Sequence, residues 1–359
     1  MAGGNGETGG NEDTNQEPEP PDIPNIGDNT GMQDETIKVE DEYGNVITIP
    51  KGFEVVEEEG TTVPEGIVIQ DANGNQFVWI PVGRVYKDST GTNYSDIQLG
   101  RYGFSSIISS PTLVQAAYTE ENPENYKELI NEPDESGTNC FEYATRENPD
   151  GIASEGPDGL NAIAKNLGAF VDSVRNNGGY YLARYEASYG SGSSVADYKP
   201  LSQVSTGTPR TSSSATLTQG MLWNCVTQIE AAKISRNMYN NDNSVGVESD
   251  LVNSYAYDTA IVFVQEMGNA NYAEKVSVNS SLANTGTIGD VVCNIHDMAS
   301  NCWEWITEYS TEMVADKARP CLHRGGIYSN KRDNPGFKES KSTTASADAY
   351  SFRFLLYVK

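Results

Sequence analysis

The chain has 359 residues, enough for one large domain or two to three small ones. Asp and Glu outnumber Lys and Arg by 51 to 24, a net charge of −27 that leaves no basic face for nucleic acid or anionic lipid. With 37% hydrophobic residues, 34 Gly and 20 Tyr, the composition is that of a turn-rich, extracellular style of fold, and no run of about 18 apolar residues is present to insert directly in a membrane.

Met1–Glu7 lacks the basic and apolar regions of a signal peptide. That opening is expected of a protein made in the cytoplasm, as a phage protein is, or of one whose export segment lies upstream. Residues 1–35 carry nine acidic residues, no Lys or Arg, and a Pro-Glu-Pro-Pro run at 18–21. Such a segment cannot bury enough apolar surface to order itself and is expected to be a disordered acidic linker or stalk; an acidic binding tail is the alternative.

Order is expected from Thr36. Ile37, Val39, Val46, Ile47 and Ile49 flank Glu42-Tyr43-Gly44-Asn45 as two short strands, and residues 36–66 read as a small β-hairpin adaptor. A second hairpin turns at Asn73-Gly74 between Ile67–Ile69 and Phe77–Val82. It opens the main domain, 67–359. Within it, 86–155 and 188–219 are polar and read as irregular insertions.

Leu160, Ile163, Leu167, Phe170 and Val174 recur at helical spacing and stop at Asn176-Asn177-Gly178-Gly179. A strand over Tyr180–Ala187 follows. Thr227-Gln228-Ile229-Glu230 is a capping box that starts a second helix through Ala231, Ile234 and Met238. A third is expected over about Asp250–Met267, with Gly268 as its stop. No repeat of fixed period is visible.

Cys140, Cys225, Cys293, Cys302 and Cys321 include no Cys-x-x-Cys pair, so zinc is not expected; buried thiols with one disulfide in the 293–321 stretch are. His296 and His323 are the only histidines, and no nucleophile-elbow motif accompanies either. Both read as loop or packing residues.

The most informative motifs lie near the C-terminus. Asn294-Ile295-His296-Asp297-Met298-Ala299-Ser300-Asn301-Cys302-Trp303-Glu304-Trp305 is followed by Arg324-Gly325-Gly326-Ile327-Tyr328 and by Ser351-Phe352-Arg353-Phe354. This order resembles the formylglycine-generating enzyme (sulfatase-modifying factor) family. That family has an Asp-Met-x-Gly-Asn-x-Trp-Glu-Trp type box, an Arg-Gly-Gly-Ser box and a terminal Gly-Phe-Arg strand. Phe77–Gly83 and Ser351–Lys359 also look like surface or prophage-encoded clostridial proteins. The resemblance implies an α+β, C-type-lectin-like domain: a small twisted antiparallel sheet, two to three helices and long loops.

It also implies a structural calcium ion held by the Asp297 side chain, the Ser300 and Cys302 carbonyls and the Glu304 carboxylate. Oxygen ligands suit calcium. Ser300 stands where the family has Gly, and a Glu304 hydrogen bond to loop amides is the competing role. The residues have roles of their own. Trp303 and Trp305 share one face of an extended segment and anchor sheet to loops, or form a ligand platform. Gly325-Gly326 suits a close backbone approach or a positive φ. Arg353, pointing opposite to Phe352 and Phe354, suits a pair with an acid.

The family's copper chemistry needs two Cys after the Gly-Gly box. The matching positions are Asn330 and Pro335, and no Cys follows Cys321. The related iron enzymes need three His. Neither copper nor iron is therefore expected, and no catalytic residue is assigned. What the sequence supports is a binding scaffold. Tyr328, Ser329, Asn330, Lys331, Asp333, Asn334, Lys338, Ser342, Thr343, Asp348 and Tyr350 have the composition of a paratope, with Tyr328 and Tyr350 as anchors. This segment resembles that of retroelement-diversified variable proteins; a polar surface loop without a special role is the plain alternative. The expected function is non-catalytic ligand binding or display, with a protein or glycan partner on a cell surface and a location at an extracellular surface or on a virion. A formylglycine-generating-enzyme-like oxidoreductase with atypical site residues, and a structural tail or pilus subunit, are the alternatives.

Overall fold

Short β-branched runs separated by Asp, Gly and Asn make hairpins, and the ordered chain opens with two of the same build. In the computed structural model, β1 (Ile37–Glu40) pairs with β2 (Val46–Ile49), and β4 (Val68–Asp71) pairs with β5 (Gln76–Pro81); β3 (Phe53–Val55) lies between them in the chain. Asp41 Oδ1 accepts from the amides of Tyr43 and Asn45, and its Oδ2 from the Asn45 side chain. Asp71 does the same with Asn73 and Asn75. Gly44 and Gly74 take φ of 86° and 78°, which an L side chain resists. Asp-x-x-Gly-Asn is thus one turn used twice. It escapes a search for long repeats because only the turn is shared.

The structure describes Met1 and residues 23–105, 108–128, 132–133, 139–141, 164, 166–239, 242–310, 313–314 and 317–359. Residues 2–22 of the stalk expected at 1–35, residues 142–155 of the insertion expected at 86–155, and the helical residues expected at 160 and 163 lie outside them. Order begins before Thr36. Ile26 is buried, Asn25 bridges to Glu40, and the Gln33 amide donates to the Phe53 carbonyl. Residues 36–66 share the main core: β3 pairs with β4, and Val39, Ile47, Ile49 and Phe53 belong to the same apolar cluster as Phe77 and Phe354.

Residues 83–116 are more regular than their polar composition suggests. They form two hairpins, β6 (Gly83–Tyr86) with β7 (Tyr94–Ile97), and β8 (Gly100–Ser105) with β9 (Ile108–Ala116). Two short strands follow, β10 (Glu132–Pro133) and β11 (Asn139–Phe141).

Helix α1 (Leu167–Asn177) buries Leu167, Phe170, Val171 and Val174 against β12 (Gly179–Ala183), with Asn166 capping its start and Gly178 its end at φ 77°. β13 (Ser188–Ser191) and β14 (Lys199–Leu201) are the only strands in the loop-rich stretch 188–219 among the described residues. Helix α2 (Gln228–Arg236) starts at the Thr227–Glu230 capping box, both halves of which are formed. β15 (Val247–Leu251) takes Asp250 and Leu251 from the expected third helix, because they pair with Leu355 and Phe354; α3 begins only at Ser254 and runs to Met267, capped by Asn253. Its first eleven residues are all buried, as a helix covered on every side must be.

The remaining strands are β16 (Val291–Val292), β17 (Ile295–His296), β18 (Trp303–Ser310), β19 (Met313–Val314), β20 (Lys317–Ala318), β21 (Cys321–Arg324), β22 (Lys338–Lys341), β23 (Tyr350–Phe352) and β24 (Phe354–Val358). Two six-stranded sheets result. One runs β15-β24-β12-β5-β4-β3, antiparallel throughout. The other runs β10-β11-β18-β21-β22, with β23 parallel to β18. Arg353 is the single residue between β23 in one sheet and β24 in the other. The fold is α+β, built of small, mainly antiparallel sheets and three α-helices among the described residues.

The expected disulfide is not formed. Cys225, Cys293, Cys302 and Cys321 are free thiols, and the Cys140 side chain lies outside the described residues.

Candidate functional site

Alternation along β18 puts Glu304 on the face opposite Trp303 and Trp305, and each face meets a different environment. Glu304 and Arg353 are both fully buried. Arg353 Nη2 donates to Glu304 Oε1 at 2.7 Å, and its Nε lies 3.1 and 3.2 Å from the two carboxylate oxygens. The remaining donors reach the carbonyls of Ala183 at 2.7 Å and His296 at 2.6 Å. The guanidinium therefore ties β18, β12 and β17 to the junction of β23 and β24.

Two more buried acids, Glu186 and Asp297, lie beside this pair, and a third, Asp290, lies beside Asp297; Glu186 and Asp290 were not singled out from the sequence. Glu186 accepts from the Cys302 amide at 3.0 Å and the Asn301 side chain at 2.6 Å. Burial, with Asp297 and Glu304 nearby, pushes its carboxyl well above the ordinary range. Asp290 pairs with Lys275 and accepts from the Ala299 amide. Asp297 Oδ2 accepts from the Thr285 hydroxyl at 2.7 Å and the Gly286 amide at 2.6 Å, while its Oδ1 is buried without a partner. Burial pushes Asp297 up to about 6. The available signal for Glu186 was an acid inside the apolar run Tyr180–Ala187.

Of the four expected calcium ligands, Glu304 already has a cationic partner. Both Glu304 oxygens face Arg353, so a cation there would have to displace a guanidinium. Among the described residues no group of three or more His, Cys, Asp or Glu is placed to hold a metal ion. Of the two expected carboxylate ligands, Glu304 is thus engaged by Arg353, whereas Asp297 Oδ1 has no partner.

Gly325 and Gly326 meet both expectations made of them. Gly325 has φ 91°, and a Cβ on Gly326 would fall 1.9 Å from the Ala299 carbonyl oxygen. The turn after β21 is thereby pressed against the 298–301 loop.

On the other face of β18, Trp303, Trp305, His323, Phe337 and Tyr350 form one aromatic cluster. Tyr350 stacks on Trp305 with ring centres 4.6 Å apart and planes 15° apart. His323 lies 4.6 Å from Trp303 and 5.3 Å from Tyr350, and burial drives its pKa well below the ordinary value. His296 packs on Tyr185 at 4.8 Å, and burial beside Arg184 and Arg353 lowers it to about 4. Both are packing residues.

Over this cluster runs the 327–350 segment. Of the proposed ligand residues, Ser329, Asn330, Lys331 and Ser342 are exposed; Tyr328, Asn334, Thr343 and Asp348 are half-buried. Asp333, Lys338 and Tyr350 are buried. Tyr350 is thus a core residue and not a free anchor, because β23 pairs with β18 and turns its ring onto Trp305. Asp333 accepts from the Trp303 indole at 3.1 Å and from the Asn330 side chain at 2.8 Å. Tyr328 donates to Asp348 at 3.2 Å. At the family's two Cys positions, Asn330 holds this turn together and Pro335 is buried.

No family model and no curated protein matches the chain. Among solved structures, CarF is 12% identical over 33% of this chain and 49% of its own, with a TM-score of 0.23. The Major Tropism Determinant U1 variant is 11% identical over 93% of this chain and 98% of its own, with a TM-score of 0.30. At these scores neither superposition establishes a shared fold.

Proposed function

We propose that this is a non-catalytic binding protein of C-type-lectin-like architecture. It presents the turns 329–332 and 342–347 to a protein or glycan ligand on a cell surface, from a cell envelope or a virion. One observation carries the reading. Ser329, Asn330, Lys331 and Arg332 are exposed in succession, yet the next residue, Asp333, is buried and bonded to Trp303. A polar turn held at its base by a packed aromatic cluster loses little conformational freedom on binding, which favours affinity. Asn330 and Pro335 supply no thiolate for copper, which supports the non-catalytic reading over an oxidoreductase. No helix among the described residues is long and apolar enough to cross a membrane.

A glycan-array and cell-binding screen tests the proposal. The double variant Asn330→Ala, Lys331→Ala and the single variant Tyr328→Ala are each expected to weaken any ligand found by about tenfold, roughly 1.4 kcal/mol. Unchanged binding in both would place recognition elsewhere. Incubation with a Cys-x-Pro-x-Arg peptide, copper and oxygen is expected to leave the peptide thiol intact, and turnover above a heat-killed control would favour the oxidoreductase.

A further inference from the structure

Buried arginines keep their charge, so each needs an anion or the interior pays a large desolvation cost. Arg101, Arg184, Arg236, Arg324 and Arg353 are buried and pair with Glu308, Glu59, Asp250, Asp258 and Glu304 respectively. Arg210 is the exception. It is 7% exposed, its Nη atoms donate only to the Asn224 and Ala215 carbonyls, and its Nε is buried without a partner. Among the described residues it has no carboxylate partner.

Arg210 lines a pocket of about 350 Å³ between the 195–217 loop, the start of α2 and the 342–348 turn. That volume lies at the small end of the ~300–1,000 Å³ range of ligand sites. The half-buried Tyr198 ring forms an aromatic wall, backed edge to face at 5.2 Å by the buried Trp223. Ser346 lines the pocket too, and its hydroxyl is buried without a partner. Glu230 is the acidic group present. Its Oε2 is taken by the Thr227 amide and hydroxyl, which leaves Oε1 able to accept from a ligand hydroxyl.

We infer that this pocket binds an acidic sugar residue, its carboxylate on Arg210, its ring face on Tyr198, and its hydroxyls on Ser346 and Glu230. Glu230 beside Arg210 disfavours a doubly charged anion and can accept from a hydroxyl, so a single carboxylate with donor hydroxyls fits better than a phosphate dianion. The aromatic wall favours a ring over a bare carboxylate. Arginine recognises carboxylate through paired donors, so lysine is a poor substitute. The site borders the 342–347 turn through Ser346 but is distinct from the exposed 329–332 turn and does not depend on it.

The test is calorimetric titration of the full chain, with Trp fluorescence in parallel, using glucuronic acid, N-acetylneuraminic acid, glucose, acetate and phosphate. At least one acidic sugar is expected to bind and to perturb indole emission, with glucose, acetate and phosphate at least tenfold weaker. Arg210→Gln and Ser346→Ala are expected to weaken it tenfold or more and severalfold respectively. Lys38→Ala, exposed on β1 and outside both the pocket and the 329–332 turn, is expected to leave it unchanged. Arg210→Gln removes an unpaired buried charge, so its melting temperature should not fall; should it fail to fold, Ser346→Ala carries the test. No binding of either acidic sugar, equal binding of acetate or phosphate, or full affinity in the variants would overturn the assignment.

Discussion

Arg353 and Arg210 are both buried, and their surroundings are opposite. Arg353 faces a carboxylate and two carbonyls, and Glu186 and Asp297 lie close enough to raise its pKa further. Arg210 faces two carbonyls, an aromatic wall and empty volume, and burial pulls its pKa below the ordinary guanidinium value. The first region is a closed charge balance whose role is to hold two sheets together. The second is open, and what it lacks is what a ligand would bring. A buried cation is therefore informative about function only once its partners are known.

The largest effect expected from this comparison is on stability. Arg353→Met leaves Glu304 buried and unpaired and should cost about 3–5 kcal/mol in urea unfolding. Arg210→Met should cost almost nothing or stabilise. Similar losses in the two variants would end the contrast. Tyr350→Ala, which removes a ring stacked on Trp305, should cost about 3–5 kcal/mol as a core truncation does, whatever its effect on binding. A Tyr350→Ala protein with a wild-type melt would return that residue to the ligand surface.

The acids around Arg353 set a pH dependence. Asp297 is raised to about 6, against an unfolded value near 3.9, so the folded state holds its proton more tightly. Its ionisation weakens folding, and the penalty grows as pH rises from about 4 through 6. Between pH 7 and pH 5 the wild type should gain about 1 kcal/mol relative to Asp297→Asn. Parallel curves for the two proteins would show that Asp297 is solvated or cation-bound.

Lys331→Ala, in the exposed turn, should shift stability by no more than about 0.5 kcal/mol. Smallest of all is the expected effect of metal removal: with Glu304 held by Arg353, EDTA and added Ca²⁺ should give the same melt. A rise of several degrees with Ca²⁺ that Glu304→Gln abolishes would establish the calcium site after all.

What the sequence by itself determined is local. The Asn-Gly hairpin, the Thr227–Glu230 capping box, the Gly178 helix stop and the positive φ at Gly325 follow from backbone preferences acting over a few residues. Alternation likewise separated Trp303 and Trp305 from Glu304, and suggested that Arg353 pairs with an acid. The tertiary structure decided which acid, since Glu304 lies 49 positions away. It also drew Glu186 into the same interior from an ordinary-looking strand. Tyr328 and Tyr350 read alike in sequence, yet pairing of β23 with β18 buries one ring and leaves the other half-exposed. Arg210 carries no local signal at all. That it lacks an anion is a property of everything folded around it, because electrostatic partners are chosen by distance in space and not along the chain.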